Sequence, residues 1–154
     1  MQDKNLKQVA EFHKTFGHPV RTELSLLDKD ETKLVIALIQ EELDEYKKAA
    51  KEGDIIEIAD ALGDIQYLLN GAFNRHGLGG IKEKILDEIH ASNMSKACSS
   101  REEAEKMIDE STTKRGSKLS YAEVNNRFVI YRDSDGKVMK GNKYRKPELK
   151  KIIG

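Results

Sequence analysis

The chain is poor in the residues that cross-link or interrupt a fold: its 154 residues include one cysteine, two prolines and no tryptophan. A lone Cys98 excludes an intramolecular disulfide and fits a reducing, cytoplasmic compartment. No activating base stands near it, so a catalytic thiol is not expected. No apolar run approaches the ~20 residues that cross a bilayer. The polar start, Met1 to Phe12, has no signal-peptide core. Neither sign of charge is in excess. The 27 basic residues balance 27 acidic ones, which removes the broad field that draws proteins to nucleic-acid polymers or anionic membranes. The length predicts one domain, 1–154, with a core over about 1–110 and a hairpin-containing tail over about 120–154. The most telling absence is local. No basic residue falls between Lys51 and Arg75, although Glu57, Asp60 and Asp64 lie there, in the most hydrophobic stretch of the chain.

Apolar spacing predicts a first amphipathic helix over residues 3–16, ended by Phe16-Gly17-His18-Pro19. Asp28 and Glu31 form a capping-box pattern that opens a second helix, from about residue 29 to Glu52. A third is expected from Ile55 to Arg75, a shorter fourth from Ile81 to about Ser92, and another over 101–110 behind Ser99 and Ser100. Arg127 to Arg132 reads as a strand, Asp133 to Gly136 as a turn, and Lys137 to Lys140 as a short return strand. Pro147 suits the opening of a last helical turn. The fold class is mainly α with a small C-terminal β-hairpin.

At about 100° per residue, the second helix gathers Leu34, Val35, Leu38, Ile39, Tyr46 and Ala49 on one face. Glu42 points near the middle of that face, Glu45 lies inside it and Glu41 sits on its border. On the third helix Ile55, Ile58, Leu62, Ile65, Leu69 and Phe73 are expected to pack, with Glu57, Asp60, Asp64 and Tyr67 opposite. An ordinary solvated face in so charged a protein would mix in lysines. Carboxylates without cations are costly to bury unless a pair, a proton or a metal replaces their hydration. Two acid-bearing helices predict a hard oxygen-ligand site suited to Mg²⁺, with Mn²⁺ as the alternative. The lack of histidine-rich or cysteine-rich spacing argues against zinc.

Glu41-Glu42-Leu43-Asp44-Glu45 has the form EExxE, and Glu57-Ile58-Ala59-Asp60 the form ExxD. Together they resemble the signature of the all-α nucleoside triphosphate pyrophosphohydrolases, which take in MazG-like enzymes, dimeric dUTPases and phosphoribosyl-ATP pyrophosphohydrolases. The run Ala59 to Tyr67 is most similar to the phosphoribosyl-ATP pyrophosphohydrolase-like branch, and the resemblance covers about residues 34–96. The family's aspartate falls on Asp60 or on Asp64, so Glu57, Asp60 and Asp64 all stand as metal candidates beside Glu42 and Glu45.

The resemblance implies cleavage of a nucleotide between its α and β phosphates, with Glu41, Glu42 and Glu45 as catalytic candidates and Glu41 or Glu42 as base. It also implies substrate contacts at Asn93 and Lys96, in the segment His90 to Lys96, and at Arg75. Asn70 takes a marginal position on the acidic face, while His13 and His18 are expected to shape the first loop. Oligomerisation as a homodimer or homotetramer would complete the helical bundle. The alternatives are hydrolysis of phosphoribosyl-ATP itself, and a catalytically silent, nucleotide-binding helical dimer.

Overall fold

The computed structural model describes residues 3–115 and 118–154, so the first two residues of the polar start lie outside the described residues. Helix α1, Lys4–Thr15, is capped by Asp3, whose side chain accepts from the Asn5 and Leu6 amides. Helix α2, Lys29–Glu52, begins at Asp28, which accepts the Glu31 amide at 2.8 Å, and closes on Gly53 in the left-handed region. Asp54 then caps α3, Ile55–Arg75. A 3-10 turn at Gly79–Ile81 leads into α4, Lys82–Met94. Helix α5, Arg101–Arg115, strand β1, Leu119–Val124, strand β2, Arg127–Arg132, and α6, Lys150–Ile153, complete the order. No helix of the described residues is long and apolar enough to cross a membrane.

The chain forms two compact units, Met1–Lys82 and Glu83–Gly154. In the first, α3 packs against both α2 and α1. Its contact with α1 depends on small residues. A Cβ added at Gly71 would stand 3.0 Å from His13 Nε2, and Asn74 donates to the Leu6 carbonyl at 3.2 Å. Gly77, at φ +69°, turns the chain where any side chain would collide with the Glu23 carbonyl. Two ion-pair sets tie the ends. Lys82 is buried, reaches Asp3 at 2.7 Å and donates to Asn70. Glu31 accepts two-pronged hydrogen bonds from Arg21 and lies 3.6 Å from Arg75.

The expected packing face of α3 is not the one that is buried. Ala61, Asn70, Gly71, Asn74 and Arg75 are buried, whereas Ile55, Leu62 and Leu69 are exposed, Leu62 by 51%. On α2, Leu34 and Ile36 are exposed as well, and Ala49 is the buried residue. The physical reason is supply of partners. Within one chain α1 and α2 cover one flank of α3, and that flank selects small and polar residues that permit close approach. Along the bulky aliphatic stripe, Val35, Leu38 and Ile39 of α2 and Ile58, Ile65 and Phe73 of α3 are half-buried, while Leu34, Ile55, Leu62 and Leu69 are left exposed.

In the second unit Cys98, Ala104 and Ile130 form the core, with Met107, Leu119, Phe128 and Met139 among the residues packed around it. The hairpin differs from expectation. β2 pairs antiparallel with β1, upstream of it, from Leu119 opposite Arg132 to Val124 opposite Arg127. Asn125 and Asn126 make the turn, both with positive φ, the backbone a tight right-twisted hairpin requires. The segment after Gly136 returns as expected, but only as an isolated bridge between Tyr131 and Val138. Helix α5 runs on to Arg115, past the expected end at residue 110, and α4 extends to Met94. The predicted cap at the start of α5 is present: the Glu103 amide donates to Ser100 Oγ at 3.3 Å, and Glu103 accepts the Ser99 amide at 2.8 Å.

Candidate functional site

Helices α2 and α3 present their acids toward one another around Glu42. One oxygen of that residue, Oε2, is buried and has no hydrogen-bond partner among the described residues. Its carboxyl is pushed above the usual carboxylate range, first by loss of hydration and then by the negative charges of Asp64, Glu45, Glu41 and Asp60. These charges come from both helices, so the structure brings Asp60 and Asp64 of α3 to the α2 acids. Glu41, Glu45, Asp60 and Asp64 themselves are exposed. Glu57 is exposed too, in the first turn of α3 beside the Asp54 cap. Among the described residues no three His, Cys, Asp or Glu side chains converge as a ready-made ligand set. Like-charged carboxylates favour rotamers that keep them apart. A buried, unsatisfied carboxylate oxygen calls for a compensating proton or cation, and the carboxylates around Glu42 are of the hard-oxygen type that a divalent cation takes.

The expectation that Glu42 faces inward agrees with its partial burial, while Glu45, expected inside the same face, is exposed. Arg75 is buried against Glu31, and its carbonyl accepts from Arg21 Nη1 at 2.8 Å. It also lines a cleft of about 290 Å³, together with Phe12, His13, His18, Tyr67 and Gly71. Sequence reasoning did not find this cleft. Its signal was the cluster Phe12, His13, Phe16 and His18 on and after α1, which the fold sets against α3: Phe12 meets Tyr67 edge-on at 5.7 Å. His13 and His18 do shape the first loop, since His13 Nδ1 lies 3.1 Å from the Pro19 carbonyl and its own carbonyl accepts the His18 amide at 2.7 Å. Burial holds the His13 imidazole below its ordinary range. Asn70 belongs to the Lys82 network and not to the acidic face.

Asn93 and Lys96 lie in the second unit, bonded to each other through Lys96 Nζ and Asn93 Oδ1 at 2.8 Å. Cys98 is buried there and its thiol is pushed up by burial, which suits a packing residue and not a nucleophile.

Residues 9–93 match the model of a family described as phosphoribosyl-ATP pyrophosphohydrolase, a span that holds all the acids of α2 and α3 named above. The chain is also 24% identical to an uncharacterized protein, L479, of Acanthamoeba polyphaga mimivirus, over 97% of this chain and 95% of the viral one.

Proposed function

The chain belongs to the phosphoribosyl-ATP pyrophosphohydrolase family, and from that premise we propose that it hydrolyses a nucleoside triphosphate or related nucleotide to the monophosphate and pyrophosphate, with Mg²⁺ as cofactor. The observation that carries this reading is the buried, unpartnered Oε2 of Glu42 with acids of both long helices around it. Glu42 and Glu45 of α2, with Glu57, Asp60 and Asp64 of α3, would hold Mg²⁺, or Mn²⁺ in its place. When bound, such an ion neutralises phosphate charge and makes water a stronger acid.

The protein's own groups do the remaining work. The acids repel a bare polyphosphate, so substrate and cation bind together. Glu41 or Glu42 orients the attacking water and takes its proton as the oxygen joins the α phosphorus. The bond from that phosphorus to the bridging oxygen breaks on the opposite side, and pyrophosphate leaves with the electron pair. Arg75 is the cationic group in the wall of the aromatic cleft next to α1. A second copy of the chain covers the aliphatic stripe of α2 and α3, so that two pairs of long helices close one core.

The test is pyrophosphate release from a panel of nucleoside triphosphates and phosphoribosyl-ATP, with and without Mg²⁺. Turnover that needs the cation and is lost in Glu45→Gln supports the proposal. Preference for phosphoribosyl-ATP narrows it, as the matched family favours. If nothing is turned over and Glu45→Gln changes nothing, the enzymatic reading fails, and nucleotide binding without turnover identifies a regulatory protein.

A further inference from the structure

The second unit contains a cleft of about 660 Å³ formed by residues of its own, a size typical of small-molecule sites. Its apolar lining comes from Met107, Leu119, Val138 and Met139, packed over the buried Ile130. Methionine adapts its shape to a flat or irregular ligand. Among the described residues four cations line it, Lys96, Arg132, Lys137 and Lys140, against one acid, Glu110. Asp135 is bound to Arg132, through Nε at 2.8 Å, and so offsets that guanidinium, and it also accepts the Lys137 amide at 3.2 Å and lies within the field of that lysine. Lys96 and Lys140 make no ion pair with an acid among the described residues. Lys96 donates to the neutral Asn93, and Lys140 sits 4.4 Å above the Tyr144 ring, and neither contact neutralises a charge.

The clustering is unusual for this chain. Over its whole length the charges cancel, yet Lys137 to Lys151 holds a single acid, Glu148. Like charges gathered round an apolar hollow repel one another, and the arrangement is most stable with an anion between them. The apolar lining adds a second requirement, because an inorganic anion would leave it covered only by water.

We propose that this cleft is a binding site for a small organic phosphate of nucleoside-monophosphate size. Its phosphate lies among Lys96, Lys137 and Lys140, and its ring portion rests on Val138 and the two methionines. The site shares no residue with the acids of α2 and α3 and does not rest on the enzymatic reading.

AMP titrated into the isotope-labelled full chain, with divalent cations chelated, tests this by amide chemical shifts. AMP is expected to move the amides of residues 130–132 and 137–142 in a saturable way. Lys137→Glu with Lys140→Glu should weaken that binding by about tenfold or more, while Lys84→Glu, on exposed α4 surface, leaves it unchanged. Both lysines are exposed, and the dispersion of the same spectra reports that the variants fold. Adenosine and inorganic phosphate should each bind more weakly than AMP. The proposal is overturned if AMP leaves those amides in place, if the double variant binds as tightly as the parent, or if inorganic phosphate matches AMP.

Discussion

Glu42, itself half-buried, keeps one buried oxygen that no donor satisfies among the described residues, and such a group destabilises a fold until a proton or cation compensates it. Glu42→Gln removes the charge with little change of shape. In metal-free buffer this variant should melt about 2–4 °C higher, the shift expected for about 1 kcal/mol in a chain of this size. Nucleotide hydrolysis should fall by about two orders of magnitude. Added Mg²⁺ should raise the melting temperature of the parent by linkage and leave that of the variant nearly unmoved. Equal activity in the two proteins, or a melting temperature indifferent to Mg²⁺ in both, would remove Glu42 from the site. Other polar residues of the same unit have structural duties: Asn70 is held by Lys82, and Arg75 faces Glu31. A polar residue on a helix wheel has no such label, and the wheel left Asn70 ambiguous until its partner across the turn was known.

Helix boundaries were legible because their causes are local. Asp28 needs only the Glu31 amide, and Gly53 needs only its own left-handed backbone. The partner of β2 was not. Asp133 to Gly136 looks like the stronger turn and does turn, with the Gly136 amide donating to the Arg132 carbonyl at 2.8 Å. Yet the longer ladder is made through Asn125-Asn126, because Leu119 and Tyr121 on β1 pack on the same core as Phe128 and Ile130. Near the end of the chain, Glu88 of α4 accepts from Arg145 and from the Glu148 amide, and these contacts hold its carboxyl at about 2, below the usual 4.5. A lowered carboxylate pKa stabilises the fold fully above pH 4.5, and that contribution is lost as the pH falls toward 2. Acid unfolding followed by circular dichroism should therefore show a stability decrement over that window in the parent. Glu88→Gln should lack it and be less stable at neutral pH. If both proteins keep the same pH dependence, the Glu88–Arg145 pair contributes nothing to acid stability.

The two long helices leave Ile36, Ile55, Ile56 and Leu62 facing water in one chain, Ile56 by 75%. Exposed large aliphatics in that number on two packed helices suit a surface that a second chain covers. In sedimentation equilibrium the protein should have at least twice its 17.4 kDa chain mass. Leu62→Asp should weaken association by about tenfold or more, about 1.4 kcal/mol, and lower nucleotide turnover with it. A parent protein that sediments at the mass of one chain would falsify the pairing.

Local chemistry in the sequence was enough to determine where each long helix starts and stops, and that α3 carries acids with no lysine among them. Those properties follow from caps, periodicity and composition within a few residues. Which flank of α3 is buried, which strand β2 pairs with and which carboxylate lost its water were decided by the tertiary structure. Burial depends on what other elements are near enough to cover a surface. In a single chain the small-residue flank of α3 receives its neighbours, while the bulkier stripe that periodicity marked as core is only partly covered.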